Sequence, residues 1–147
     1  MAATGAEEFS PTLSPDGHWL VYATDESGKY EVYVRPFPQV GASRQQVSDG
    51  GGSEPVWAHS GRELFYRDGA GRLVAVRVAT GNGFAVESRQ VLFDASAYGV
   101  DANHATYSIT PDDRSFYFVR PRAATEAPMV LVRNWLPELS AQVKAVH

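Results

Sequence analysis

Four histidines and a scatter of carboxylates are the residues of this chain best suited to chemistry. His18, His59, His104 and His147 offer imidazole nitrogens, and Glu7, Glu8, Glu54 and Asp101 offer carboxylate oxygens. These are ligand types for zinc or another divalent cation, and a catalytic site of that kind needs three protein ligands plus an open position for water. The spacing does not build such a site locally. No HxH or HExxH pattern occurs, and there is no cysteine, which removes thiolate ligands, a cysteine nucleophile and disulfides. Any metal site must therefore join residues far apart in the chain. His104 is the leading candidate, with Asp101 and Asn103 beside it, and His59, His18 and Glu54 follow. Other reactive patterns are missing or better explained by turns. There is no Gly-x-Ser-x-Gly elbow. Gly50-Gly51-Gly52-Ser53 lacks the lysine and following helix of a phosphate loop and reads as a flexible link between units. Asp16, Asp112 and Asp113 sit in turn sequences that account for them without a cation.

The elements that must position these residues are short strands. Apolar residues make up 44% and charged residues 20% of 147, a globular composition of single-domain size. Clusters of Tyr, Phe, Trp and Val alternate with Gly, Pro, Asp and Ser, the pattern of an all-β protein. Apolar runs are far shorter than the roughly 20 residues of a membrane span, so no membrane partner is expected. No signal peptide is visible at the N-terminus. A net charge of −4 without a basic run argues against a nucleic-acid partner.

The clusters repeat. Pro11, Gly17, Leu20 and Tyr22 match Pro55, Gly61, Leu64 and Tyr66 at a constant offset of 44 residues. A third copy begins at Tyr107-Ser108-Ile109-Thr110-Pro111-Asp112-Asp113, offset by 52 from the second. Each copy reads as a strand, a tight turn, a second apolar strand, a polar turn and a third strand. The turn is Ser14-Pro15-Asp16-Gly17 in the first copy. It becomes Ala58-His59-Ser60-Gly61 in the second, and in the third Asp113 replaces the glycine. A fourth strand is expected near 44–48 and 84–92 and has no counterpart in the third copy. Four antiparallel strands recurring at this period predict β-propeller blades. The expected blades are 8–50, 51–98 and 99–135, followed by a helical tail over 136–147.

Ser14-Pro15-Asp16-Gly17-His18-Trp19-Leu20-Val21-Tyr22, Tyr30-Glu31-Val32-Tyr33-Val34-Arg35-Pro36-Phe37, Glu54-Pro55-Val56-Trp57 and Gly61-Arg62-Glu63-Leu64-Phe65-Tyr66 resemble the TolB-like (WD-type) propeller repeat. They are similar in particular to the propeller that follows the kinase domain in some bacterial serine/threonine protein kinases. The resemblance implies a bacterial origin and a partial propeller. It implies no kinase activity, because the glycine-rich loop, the catalytic-loop residues and Asp-Phe-Gly are absent.

Three blades do not close a ring of four to eight. Two copies would make six, the number common among TolB-like propellers, so a homodimer is the expected partner state. Residues 3–9 of one copy are expected to supply the missing fourth strand of the other. The first strand of each blade would line a central channel. This places Glu54, Asp101 and Trp57 as candidate ligand contacts near its mouth, with Trp57 at the channel or at a blade interface. His104, His59, His18 and Glu54 are the candidate metal ligands. Two readings follow. One is a module binding a small molecule or protein at the channel mouth. The other is a zinc-type hydrolase of phosphoesters or esters at the channel of the assembled ring.

Overall fold

A run of β-prone residues that ends in Pro, Asp or Gly reverses as a hairpin, and the computed structural model shows this along the chain. It describes residues 7–39, 41–101 and 103–120, together with the backbone of 129–133. The first sheet holds β1 (Glu8–Leu13), β2 (Trp19–Thr24), β3 (Glu31–Pro36) and β4 (Gln45–Gln46), in that order. The second holds β5 (Ser53–Trp57), β6 (Glu63–Arg67), β7 (Arg72–Ala79) and β8 (Ala85–Asp94). The third holds β9 (Tyr107–Ile109), β10 (Ser115–Val119) and β11 (Met129–Arg133). All pairings are antiparallel, and no helix occurs among the described residues. The expected tail over 136–147, His147 and most of the 3–9 segment lie outside the described residues.

The repeat is carried into the register. Thr12 pairs with Val21, Val56 with Phe65 and Ser108 with Tyr117, three pairs spaced by the two offsets seen in the sequence. β1 and β5 bulge at the same place, where Ser10 and Glu54 take φ of 50° and 53° ahead of Pro11 and Pro55. A bulge tolerates the proline because no ladder hydrogen bond is asked of it.

The three tight turns also coincide. Gly17, Gly61 and Asp113 donate N–H bonds to Ser14, Ala58 and Thr110 carbonyls at 2.8, 3.0 and 2.9 Å. All three closing residues have positive φ, at 73°, 68° and 57°. Aspartate is among the few side chains that tolerate this region, which explains how Asp113 replaces a glycine without altering the turn.

The fourth strands differ from expectation in length. β8 runs for ten residues, whereas β4 keeps two. Beyond Gln46 the Ser48 hydroxyl accepts the Val32 N–H at 2.8 Å, and the Val47 N–H donates to the Val32 carbonyl. A side chain thus takes the place of the next ladder bond.

Alternation along each strand splits the apolar residues between two cores. Val21, Val32 and Val34 of the first sheet meet Leu64, Tyr66 and Val76 of the second. Phe65, Leu73 and Ala75, on the opposite face of the second sheet, meet Tyr107, Phe116 and Phe118 of the third. Phe65 and Phe116 pack edge to face with centroids 4.9 Å apart. The second sheet is therefore shared by both cores.

Candidate functional site

Up-and-down strands put successive turns at opposite ends of a sheet. The β1–β2, β5–β6 and β9–β10 turns share one end. The β2–β3 and β6–β7 turns share the other with the two linkers that lead to β5 and β9. This division decides where the candidate residues lie.

At the tight-turn end, His18 Nδ1 lies 3.4 Å from Asp16, its own turn partner. His59 Nδ1 lies 3.0 Å from Asp113 of the third sheet. The same carboxylate accepts the backbone N–H groups of His59 and Ser60 at 2.7 and 2.8 Å. Burial opposes ionisation of Asp113, but these N–H donors outweigh it and hold its pKa below the ordinary value. Asp113 therefore spans from the turn of one sheet to the turn of the next. In the first and third turns an internal Asp does this capping: Asp16 accepts from Ser14 and His18, and Asp112 from Thr110 and Arg114. The second turn has Ser60 in that place and borrows its carboxylate from the third.

At the linker end, Glu54 is buried in the β5 bulge. Its carboxylate accepts the N–H groups of Asp101 at 3.1 Å and Thr106 at 3.0 Å, and the Thr106 hydroxyl at 2.9 Å. Its own carbonyl accepts the Tyr107 hydroxyl at 2.9 Å. Arg67, equally buried, donates to the carbonyls of Ala95 and Gly99 at 2.7 and 2.6 Å. Glu54 and Arg67 thus tie the 95–106 linker down from two sides. Asp101 caps its own turn through the Asn103 N–H at 2.7 Å, which is the main reason its pKa is lowered. His104 Nδ1 stands 3.4 Å from Asp101.

The candidate residues are therefore only partly brought together. Glu54, Asp101 and His104 share the linker end, whereas His18 and His59 lie at the other. Among the described residues no three His, Asp or Glu side chains are grouped to hold a metal ion. Trp57 is buried in the first core beside Phe84. Arg67 had no place among the sequence candidates. Its signal was present in the repeat, where the aligned residues are Ala23 and Val119 and a charged residue is out of keeping.

A cleft of about 570 Å³ opens at the linker end between the first two sheets. Gly50, Gly51, Gly52 and Gly69 form much of its wall, with Lys29, Arg67, Asp68 and Val100 around them. Gly51, Gly52 and Gly69 are held close to neighbouring atoms, Gly52 most tightly. A Cβ on Gly52 would come within 2.6 Å of the Ser48 Cβ, and one on Gly51 within 3.3 Å of Gly69 backbone. The Gly52 N–H is fixed to the Tyr30 carbonyl at 2.8 Å. This link is a close-packed wall of backbone. Asp68 has its carboxylate held by Arg72 and by the Ala70 and Arg72 N–H groups. Burial opposes ionisation there too, and these donors more than offset it, so its pKa falls.

No family model matches this chain, and no curated protein matches it. Solved structures do. A protein assigned as TolB from Agrobacterium tumefaciens aligns over 92% of this chain and 48% of its own, with a TM-score of 0.59 and 18% identity. An oligogalacturonate lyase from Vibrio parahaemolyticus aligns over 80% of this chain and 30% of its own (TM-score 0.52, 19% identity). A protein assigned as a 6-phosphogluconolactonase from Bacteroides uniformis aligns over 86% and 36% (TM-score 0.50, 12% identity). The fold is thus all-β and TolB-like, of the β-propeller kind. This chain spans about half the length of the TolB-type structure or less of the others.

Proposed function

We propose that this chain is a non-catalytic binding module of propeller type, and that its ligand sits in the cleft at the linker end. The observation that carries this is the glycine-lined cleft of about 570 Å³, whose glycine wall is fixed by the Gly52–Tyr30 backbone bond and whose Val100 edge is tied down by Arg67 and Glu54. A concave site with rigid walls and a few polar side chains suits recognition of a small molecule or a peptide segment. The similar structures include enzymes, but fold alone does not transfer an activity. Glu54, the carboxylate the hydrolase reading depends on, has both oxygens engaged by the linker. The resemblance to kinase-linked propellers fits a sensing role within a larger signalling protein.

The test is a ¹⁵N-resolved NMR screen of the chain against a library of small polar fragments. Shifts concentrated at Gly50, Gly51, Gly69 and Val100 are the expected result. Binding confined to the tight-turn end, around His18, His59 and Arg114, would overturn the assignment, and so would no binding at millimolar fragment.

A further inference from the structure

Each sheet presents one face to the sheet before it and one to the sheet after it. Within the chain these faces meet twice. The forward faces carry Val21 and Phe65 at matching register positions, and both are fully buried. The third position of that series is Tyr117. Among the described residues nothing of the kind lies opposite. Tyr117, Val119 and Val100 are 37%, 52% and 63% exposed and border a groove of about 450 Å³. The rearward faces form the complementary series. The Trp57–Leu64 and Ile109–Phe116 pairs are buried, whereas Leu13, paired with Leu20 at the same position in the first sheet, is 42% exposed.

We infer that the forward face of the third sheet in one copy docks on the rearward face of the first sheet in a second copy, head to tail, so that two chains close into one ring. The contact repeats a juxtaposition the chain already makes twice, so it continues an existing interface. Leu13, Leu20 and Tyr22 stand where Trp57, Leu64 and Tyr66 stand in the second sheet, facing a sheet in front. Tyr22 is itself buried beneath Tyr33, which stacks on it, and beneath the Arg35 guanidinium 4.2 Å over its ring, so the half-buried Tyr33 and Arg35 are what this part of the face offers a second copy. That flat aromatic and guanidinium layer suits stacking by Tyr117 of the other copy. A head-to-tail contact that fails to close would continue into a filament, so closure after two copies is a definite demand.

Light scattering on the eluting protein tests this with the chain and two variants. The chain is expected near twice 16.0 kDa. Val119→Lys on one face and Leu13→Glu on the other are each expected to give monomers. Both positions are exposed, and an unchanged near-ultraviolet circular dichroism spectrum shows that the fold survives. If Val119→Lys loses that spectrum, Tyr117→Arg probes the same face. A wild-type monomer at about 100 μM overturns the proposal. So does a dimer that survives Leu13→Glu, which would mean that two third-sheet faces pair with each other. Species larger than two chains overturn the closure.

Discussion

Asp113 shows how one residue can serve two sheets. It occupies a left-handed position that costs a non-glycine residue roughly 1 kcal/mol, and its carboxylate caps the neighbouring turn. Hydrogen bonds to a charged group contribute about 1.5–3 kcal/mol each in favourable settings. The bridge therefore outweighs the strain, and Asp113→Gly should destabilise the protein by about 1 kcal/mol despite relieving the backbone. Urea midpoints at neutral pH measure this, and a midpoint that rises on substitution would show the strain to be the larger effect. The pH dependence has a definite sign. A carboxylate whose folded pKa is depressed contributes its full stability above the unfolded value of about 3.9 and loses it as pH falls through the folded pKa. Asp113→Asn should thus flatten the stability profile below about pH 4, with little change in slope above pH 6. The sequence showed Asp113 as a departure from the glycine pattern. It did not show the bridge, because the bonded partners His59 and Ser60 lie in another repeat.

Strands and tight turns were legible because their causes are local. Alternating apolar residues, the Pro11 and Pro55 bulges and the Gly17 and Gly61 turns each act within a few residues, and β2 (Trp19–Thr24) and β6 (Glu63–Arg67) fall where the pattern places them. β4 was overestimated because the Ser48 hydroxyl competes for the Val32 N–H, a choice no periodicity records. The linker over 95–106 was legible only as a gap between repeats. Its shape comes from Glu54 and Arg67, which reach it from other strands. Both Glu54 oxygens face donors, so Glu54→Gln must turn an amide NH₂ against an N–H group. A loss of about 2 kcal/mol is expected, the cost of leaving a buried donor unsatisfied. The loss should be uneven. Amide exchange at Asp101 and Thr106 should accelerate far more than at Val34, whose neighbours are untouched. Equal acceleration at all three amides would mean that the Glu54 contacts do not anchor the linker in particular.

For the whole molecule, the arrangement is a stack in which each core is made by two adjacent sheets only. Among the described residues the first and third sheets meet in neither core, and the linker before β9 reaches the first sheet through a long Ser10 to Asn103 backbone contact at 3.3 Å. Stability in such a stack is approximately a sum of sheet and interface contributions, as in repeat proteins. Phe116 is fully buried in the second core, on the face of the third sheet turned toward the second. Truncating a buried Phe to Ala costs roughly 3–5 kcal/mol. If the interfaces are separable, Phe116→Ala should release β9 (Tyr107–Ile109) and β10 (Ser115–Val119) while the first core stays closed. Hydrogen exchange reads this directly. Amides of Phe118 and Ile109 should exchange at rates set by local opening, and those of Val21 and Val34 should keep most of their protection. The second sheet then becomes the telling element, because Leu64 faces the intact core and Phe65 the damaged one. Strong residual protection along β6 would show that one covered face suffices to hold a sheet. Uniform loss across Val21, Leu64 and Phe118 would show instead that three sheets fold as one cooperative unit, whose separate interfaces have no independent stability.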